Sequence, residues 1–216
     1  MTPQRITRCL ALFLSAVTMV STGGCVGLTV QLANMIGMNM VPAQYAGLKG
    51  ERVAVVCVSP DSSYGPIDTG EMLAVELEQY LSTNVRRIKF VPRGDVMSWQ
   101  ETHASDVVNY AKLGESLEAD KVLVVELASF SCHDNATFYQ GKANYRVTVH
   151  DVETGEREYD YDDPDKAFPA HGGYHLTDMS EEKFKRAFIG ELAKDIGRQF
   201  HMNDLPKHFV KEDYIR

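Results

Sequence analysis

The chain reads as a mixed α/β domain of the α+β kind. A βαβαβ sheet is extended by an antiparallel β-hairpin and followed by a C-terminal helix, with the helices mainly on one face. Three observations predict it. Arg52 to Ser59 (RVAVVCVS) and Lys121 to Ser129 (KVLVVELAS) are nearly continuous apolar, β-branched runs, the pattern of strands buried on both faces. Between them, apolar residues recur at helical spacing. After Phe138 the period switches to two, as in an antiparallel strand with one wet face.

The elements follow in order. After the first strand, Pro60 to Ile67 is a polar loop. Asp68-Thr69-Gly70-Glu71 then fits a helix start, with Asp68 as N-cap and Glu71 completing a capping box. Met72, Leu73, Leu77 and Leu81 carry that helix to about Ser82. Arg87 to Pro92 (RIKFVP) is a second strand, and Arg93-Gly94-Asp95 is expected to turn into a short segment around Trp99. Ser105 is placed as the cap of a second helix, with Val107, Val108, Ala111 and Leu117 on its apolar side. In the alternating strand Phe138 to Asp151, Ala143, Tyr145, Val147 and Val149 share the dry face, and Lys142, Asn144, Arg146 and Thr148 the wet one. Glu153-Thr154-Gly155 is a tight turn, Glu156 to Tyr161 the returning strand, and Asp162 to about Asp178 a polar loop. Ser180, Glu181 and Glu182 open a last helix in which Phe184, Phe188, Leu192 and Ile196 form one stripe. Lys194 and Arg198 suit the negative end of its dipole. Right-handed crossovers make the first three strands parallel.

The N-terminus reads differently from the rest. Arg5 and Arg8 precede an apolar run, Cys9 to Val20, of about 12 residues, which fits a signal peptide and falls short of the roughly 20 needed to span a bilayer. Gly23, Gly24 and Cys25 then resemble a lipoprotein processing site, with Thr22 where leucine is usual. The resemblance implies cleavage before Cys25 and a diacylglyceryl, palmitate-type anchor on its thiol. Ordinary signal cleavage and an uncleaved anchor are the alternatives. The organisation expected is a lipoprotein signal peptide at 1–24, an apolar tether or membrane-proximal segment at 25–50, one α/β domain at 51–203 and a C-terminal tail at 204–216.

Charge narrows the partners. The formal net charge of −8 becomes two units more negative when Arg5 and Arg8 are removed. An acidic chain in which no basic cluster stands out makes a poor nucleic-acid ligand, since phosphate contacts need Lys and Arg. By the same measure it gains nothing from an anionic membrane, which leaves lipid or apolar contact for anchoring. Beyond Cys9 and Cys25 only Cys57 and Cys132 remain, either two buried thiols or a disulfide in an oxidising envelope.

Chemistry-bearing motifs are sparse. No P-loop lysine, GxGxxG, GxSxG or CxxC is present, so no cofactor and no catalytic set is marked. No metal site is marked either. His171 and His175, with Asp178 nearby, come nearest, but Gly172 and Gly173 between them read as loop. Asp160, Asp162, Asp163 and Asp165 are dense in oxygen without the spacing of a calcium loop. The loop Asp61 to Asp68 follows a buried strand, where open α/β sheets hold ligands. Trp99, Tyr139, Tyr145, Tyr159 and Tyr161 form either an aromatic docking patch or packing beneath the hairpin.

Two segments carry a resemblance. Leu113-Gly114, Leu117, Ala119-Asp120 and Val122 to Glu126 form one; Val147 to Glu156 (VTVHDVETGE) forms the other. They resemble an α/β accessory domain of bacterial envelope proteins. It occurs in the curli-secretion lipoproteins, in the lipoprotein activators of peptidoglycan synthases and in the N-terminal domain of the Tol-system propeller protein. Val41 to Tyr45 and Lys166 to Pro169 are similar to uncharacterised planctomycete-type lipoproteins. The resemblance implies a non-enzymatic protein, lipid-anchored to a bacterial membrane, the outer one favoured. Its domain would lie in the periplasm and bind an envelope protein in scaffolding or assembly. The alternating hairpins of a curli-type pore are missing. The rival readings are a small-ligand-binding domain and a metal-dependent hydrolase using the His171/His175 loop or the Asp61 to Asp68 loop.

Overall fold

The structure, a computed structural model, describes residues 40–59, 69–103, 109–133 and 137–204. Cys25, the tether to residue 39, the loop 60–68 and the expected cap Ser105 with Val107 and Val108 lie outside the described residues. Pro42–Asn203 forms one compact unit. It begins earlier than the sequence pattern implied: Leu48 is fully buried in the core, and Tyr45 packs against it.

Ten elements build this unit. They are β1 (Arg52–Val58), α1 (Thr69–Asn84), β2 (Lys89–Phe90), α2 (Arg93–Thr102), α3 (Tyr110–Ser116), β3 (Lys121–His133), β4 (Phe138–Asp151), β5 (Arg157–Phe168), β6 (Tyr174–His175) and α4 (Glu181–Arg198). The sheet runs β2-β1-β3-β4-β5, with β6 pairing the start of β4. β1 is parallel to both β2 and β3, as right-handed crossovers require, and β3-β4-β5 is antiparallel.

Strand alternation divides the apolar side chains into two cores. Val53, Val55, Leu123, Val125 and Leu127 point to the face covered by the two long helices, where Leu73, Leu77 and Leu81 of α1 meet Phe184, Phe188, Leu192 and Ile196 of α4. Ala54, Val56, Val122 and Val124 point the other way, against Val96 of α2 and Leu113 of α3. Each fully buried aliphatic or phenyl group stabilises the fold by about 1.5–3 kcal/mol. The larger core therefore lies under α1 and α4. Gly141 makes one close approach possible, since a Cβ there would lie 2.5 Å from the Phe188 ring. Gly155 takes φ +72 in the β4–β5 turn, which a residue with a Cβ rarely adopts.

Several boundaries differ from expectation, each for a local reason. Arg93-Gly94-Asp95 opens helix α2 instead of turning, because Pro92 sets the chain at the helix entrance and Asp95 sits in the first turn where the dipole favours an anion. Asn109 caps α3, its side chain accepting from the Lys112 N–H. Ser180 caps α4 through the Lys183 N–H as expected. The second strand shrinks to Lys89–Phe90, with Arg87 in a left-handed conformation before it. Asp162 to Phe168, read as the start of a polar loop, continues β5. An edge strand tolerates proline and acidic residues that a central strand does not, so composition hid it.

Cys57 and Cys132 are buried and not joined by a disulfide. Cys57 lies in register with Val125, and Cys132 is a further seven residues along β3, about 20 Å at the rise of a strand. Among the described residues no helix is long and apolar enough to cross a membrane.

Candidate functional site

On the sheet face opposite α1 and α4, α3 packs over Val122 and Val152 and reaches Glu126 and His150 through Tyr110, and beyond it the antiparallel strands present an open polar surface. Register puts four residues in a row across it: Val58 on β1, Glu126 on β3, Arg146 on β4 and Asp162 on β5. All four are exposed. The next row holds Thr148 and Asp160, and the next His150 and Arg157. Alternation puts these side chains on the side opposite Tyr145, Val147 and Val149, which fill the larger core.

The charges on this face are ordered against one another. The Arg146 guanidinium donates to both carboxylate oxygens of Asp160, at 2.7 and 2.5 Å, and Arg157 approaches the same carboxylate at 3.1 Å. The Arg146 hydrogen bonds hold the Asp160 carboxyl below its usual range. Tyr110 at the start of α3 donates to Glu126 at 3.1 Å, and burial together with that carboxylate pushes its phenol up to about 12. His150 lies 3.1 Å from the Thr148 hydroxyl and 5.1 Å, ring to ring, from Tyr110. Burial, then Arg157, lowers the imidazole, so it is neutral at pH 7. Exposed pairs of this kind add at most about 1 kcal/mol each to stability. Their effect is to present a fixed pattern of acceptors and donors, which suits recognition of a charged protein surface.

No protein-family model matches the sequence, and no curated protein matches it. Solved structures do. The PelC dodecamer of Paraburkholderia phytofirmans shares 8% identity over 75% of this chain and 96% of that chain, with a TM-score of 0.45. Lipoprotein GNA1162 of Neisseria meningitidis shares 13% over 68% and 96%, at 0.43. The C-terminal domain of LpoB from Salmonella enterica shares 13% over 57% and 87%, at 0.38. Identities this low leave function to be argued from this chain's own residues.

Two further polar clusters lie within the unit. At the amino end of β3, Lys121 contacts Asp151 at 2.5 Å and Glu158 at 2.7 Å, and Tyr45 donates a short hydrogen bond to Glu158. Burial would lower the lysine, but these two hydrogen bonds outweigh it and raise its pKa. The same contact, with the Thr154 N–H, brings Asp151 down to about 2. The Tyr159 hydroxyl lies 2.8 Å from the Gln44 side-chain oxygen and 3.0 Å from that of Gln199, with its one proton for either, so the lead-in to the domain is clamped against the hairpin. At the carboxyl end of β1, Arg93 bonds the Val55 carbonyl at 2.5 Å, forms two hydrogen bonds to Glu71 and reaches Glu78 at 3.5 Å. Burial pushes Glu78 up to about 7 against the pull of Arg93.

The residues singled out from sequence fare unevenly. His175 bonds Thr177 at 2.8 Å, which in turn donates to Asp178, while His171 stands exposed before Gly172. Among the described residues no three His, Cys, Asp or Glu side chains come together to hold a metal ion, so the His171, His175 and Asp178 set is not assembled. The Gly172 turn and the pairing of His175 with Phe138 draw the two imidazoles apart from a shared helical face. The aromatic patch is not assembled either. Tyr139 and Tyr145 are core residues, Tyr159 and Tyr161 pack partly on that core, and Trp99 lies on the opposite core, stacked on His103 at 4.2 Å. Of the acidic run, Asp160 is paired with arginine, and Asp163 accepts from Tyr145. The clefts are open: one of about 510 Å³ between α2 and α3 is lined by Arg52, Trp99, His103 and Glu118. Alternation along the strand predicts Arg146 and Thr148 as wet; Arg146 is exposed, whereas Thr148 is buried, its hydroxyl bonded to His150. The sequence alone misses Glu126, Asp160, Arg157 and His150 as their neighbours, because a cross-strand row exists only once the register is known.

Proposed function

We propose that the protein is lipid-anchored through Cys25 in a bacterial cell envelope, at the outer membrane with its domain in the periplasm. The open face of β3, β4 and β5 binds a protein partner in scaffolding or assembly, without chemistry of its own. The observation that carries the reading is the ordered charge pattern Glu126, Arg146, Asp160, Arg157 on the part of the sheet face that α3 leaves open. An open face of this kind is polar enough to be stable in water and fixed enough to discriminate between partners.

Two measurements test it. Intact mass of the chain from its membrane fraction should show a species starting at Cys25 with added diacylglyceryl and acyl mass; a free Cys25 would remove the anchor. A photo-crosslinking residue at Asp162 should trap one envelope protein in living cells, and Arg146→Glu should abolish that adduct. The same probe at Val75, on the outer surface of α1, should trap none. Equal trapping from both faces would refute the docking assignment.

A further inference from the structure

The net charge conceals a cationic corner. Lys49, Arg86, Arg87 and Lys89 are all exposed. They gather at the amino end of β1 and β2: the Lys89 N–H bonds the Glu51 carbonyl, two residues after Lys49, and Arg86 and Arg87 lie in the turn that leads from α1 into β2. Among the described residues none of the four takes part in an ion pair, whereas Arg93, Lys121, Arg146 and Lys166 all do. Two carboxylates lie near it without pairing with any of the four. Glu51 is half-buried, and Asp120 on the β3 side is bonded to the Arg52 N–H at 2.7 Å. Arg87 holds φ 60, a conformation that glycine or asparagine adopts at less cost.

The place of this corner in the chain gives its partner. No Asp, Glu, Lys or Arg lies between Cys9 and Leu48, so Lys49 is the first charge after the signal. The chain thus passes from an uncharged lead-in directly to a cluster of unpaired cations. We propose that Lys49, Arg86, Arg87 and Lys89 rest on the anionic phospholipid headgroups of the membrane that holds the N-terminal anchor, and so orient the domain. The proposal rests on the anchored reading above and adds a second contact to it, in which the lipid holds the chain at the membrane and the basic patch sets the domain's orientation. The whole-chain charge misjudges this contact because fields in physiological salt reach only about 8 Å. Each basic residue at the surface strengthens the contact about fivefold.

The test uses the full chain as isolated from membranes, reconstituted in vesicles of phosphatidylcholine alone or with one third phosphatidylglycerol. A fluorophore on Asn84→Cys, beside the corner, reports energy transfer to a headgroup-labelled lipid; one on Lys183→Cys at the start of α4 is the control. Transfer from position 84 should rise with phosphatidylglycerol and fall back at about 0.5 M salt, where screening shortens to a few Å. Reversal of Arg86, Arg87 and Lys89 to glutamate should weaken the lipid-facing pose more than a hundredfold. The milder pair Lys49→Gln and Lys89→Gln should give an intermediate loss, with the urea midpoint unchanged. Equal transfer in both lipids, or transfer indifferent to the reversals, would overturn the proposal. Intact mass reports the Cys25 anchor separately, so loss of the anchor reading and loss of this contact are told apart.

Discussion

Glu78 is a carboxylate that the fold keeps at a cost. Its side chain is 16% exposed, wedged between α1 and Arg93, and burial raises its pKa from 4.5 to about 7. A folded-state pKa above the unfolded one means that the native state binds the proton more tightly. The stability this group contributes is full below about pH 4.5, falls as pH rises, and is lost above about pH 7. The shift corresponds to about 3 kcal/mol, and water relaxation around a partly exposed group reduces this to about 2 kcal/mol. Glu78→Gln should therefore stabilise the protein by about 2 kcal/mol at pH 8, a rise in Tm of about 4–8 °C, and have almost no effect at pH 4. Arg93 retains Glu71 and the Val55 carbonyl, so the substitution leaves the cation paired. Thermal and urea unfolding of both proteins from pH 4 to 8 measure the difference. A loss of stability at pH 8 would mean that the 3.5 Å contact with Arg93 outweighs desolvation, and would refute the reasoning.

Other perturbations follow from the same structure. Lys121→Met leaves Asp151 and Glu158 facing each other at the amino end of β3, and should lower the urea midpoint at pH 7, with much of the loss absent near pH 2. Asp151 has a depressed pKa of about 2, so its own contribution is present above about pH 4 and disappears as pH falls through 2; an acid titration of stability should show that step, and Asp151→Asn should remove it. Gly141→Val drives a side chain into the Phe188 ring and should cost about 1–3 kcal/mol or more, whereas Gly94→Ala, with open space around it, should change stability by less than about 1 kcal/mol. Arg146→Glu should leave the urea unfolding midpoint close to that of the parent, because the pair is exposed, while abolishing the crosslink at Asp162.

What the sequence determined by itself was local. Val53 to Cys57 and Val122 to Val125 read as strands buried on both faces, Ala143 to Val147 alternate as one wet-faced strand, and the Phe184–Ile196 stripe requires a helix on a core; these are observed, while Val58 is exposed and Thr148 buried. These signals are periodic, and a period needs no knowledge of distant residues. Tertiary structure decided the rest. It extended β5 through Pro164 because an edge strand needs one partner instead of two, and it drew Tyr45 and Leu48 into the folded unit. It set Cys57 and Cys132 apart along parallel strands, and it took the aromatic residues into two cores instead of one patch. It also brought Glu126, Arg146, Asp160 and Arg157 onto one face, and Lys49 to the side of Arg86, Arg87 and Lys89. Both surfaces are made by strand register and by which strand lies at an edge. Those are relations between residues far apart in the chain, and they are fixed by the packing of the whole sheet rather than by any local pattern.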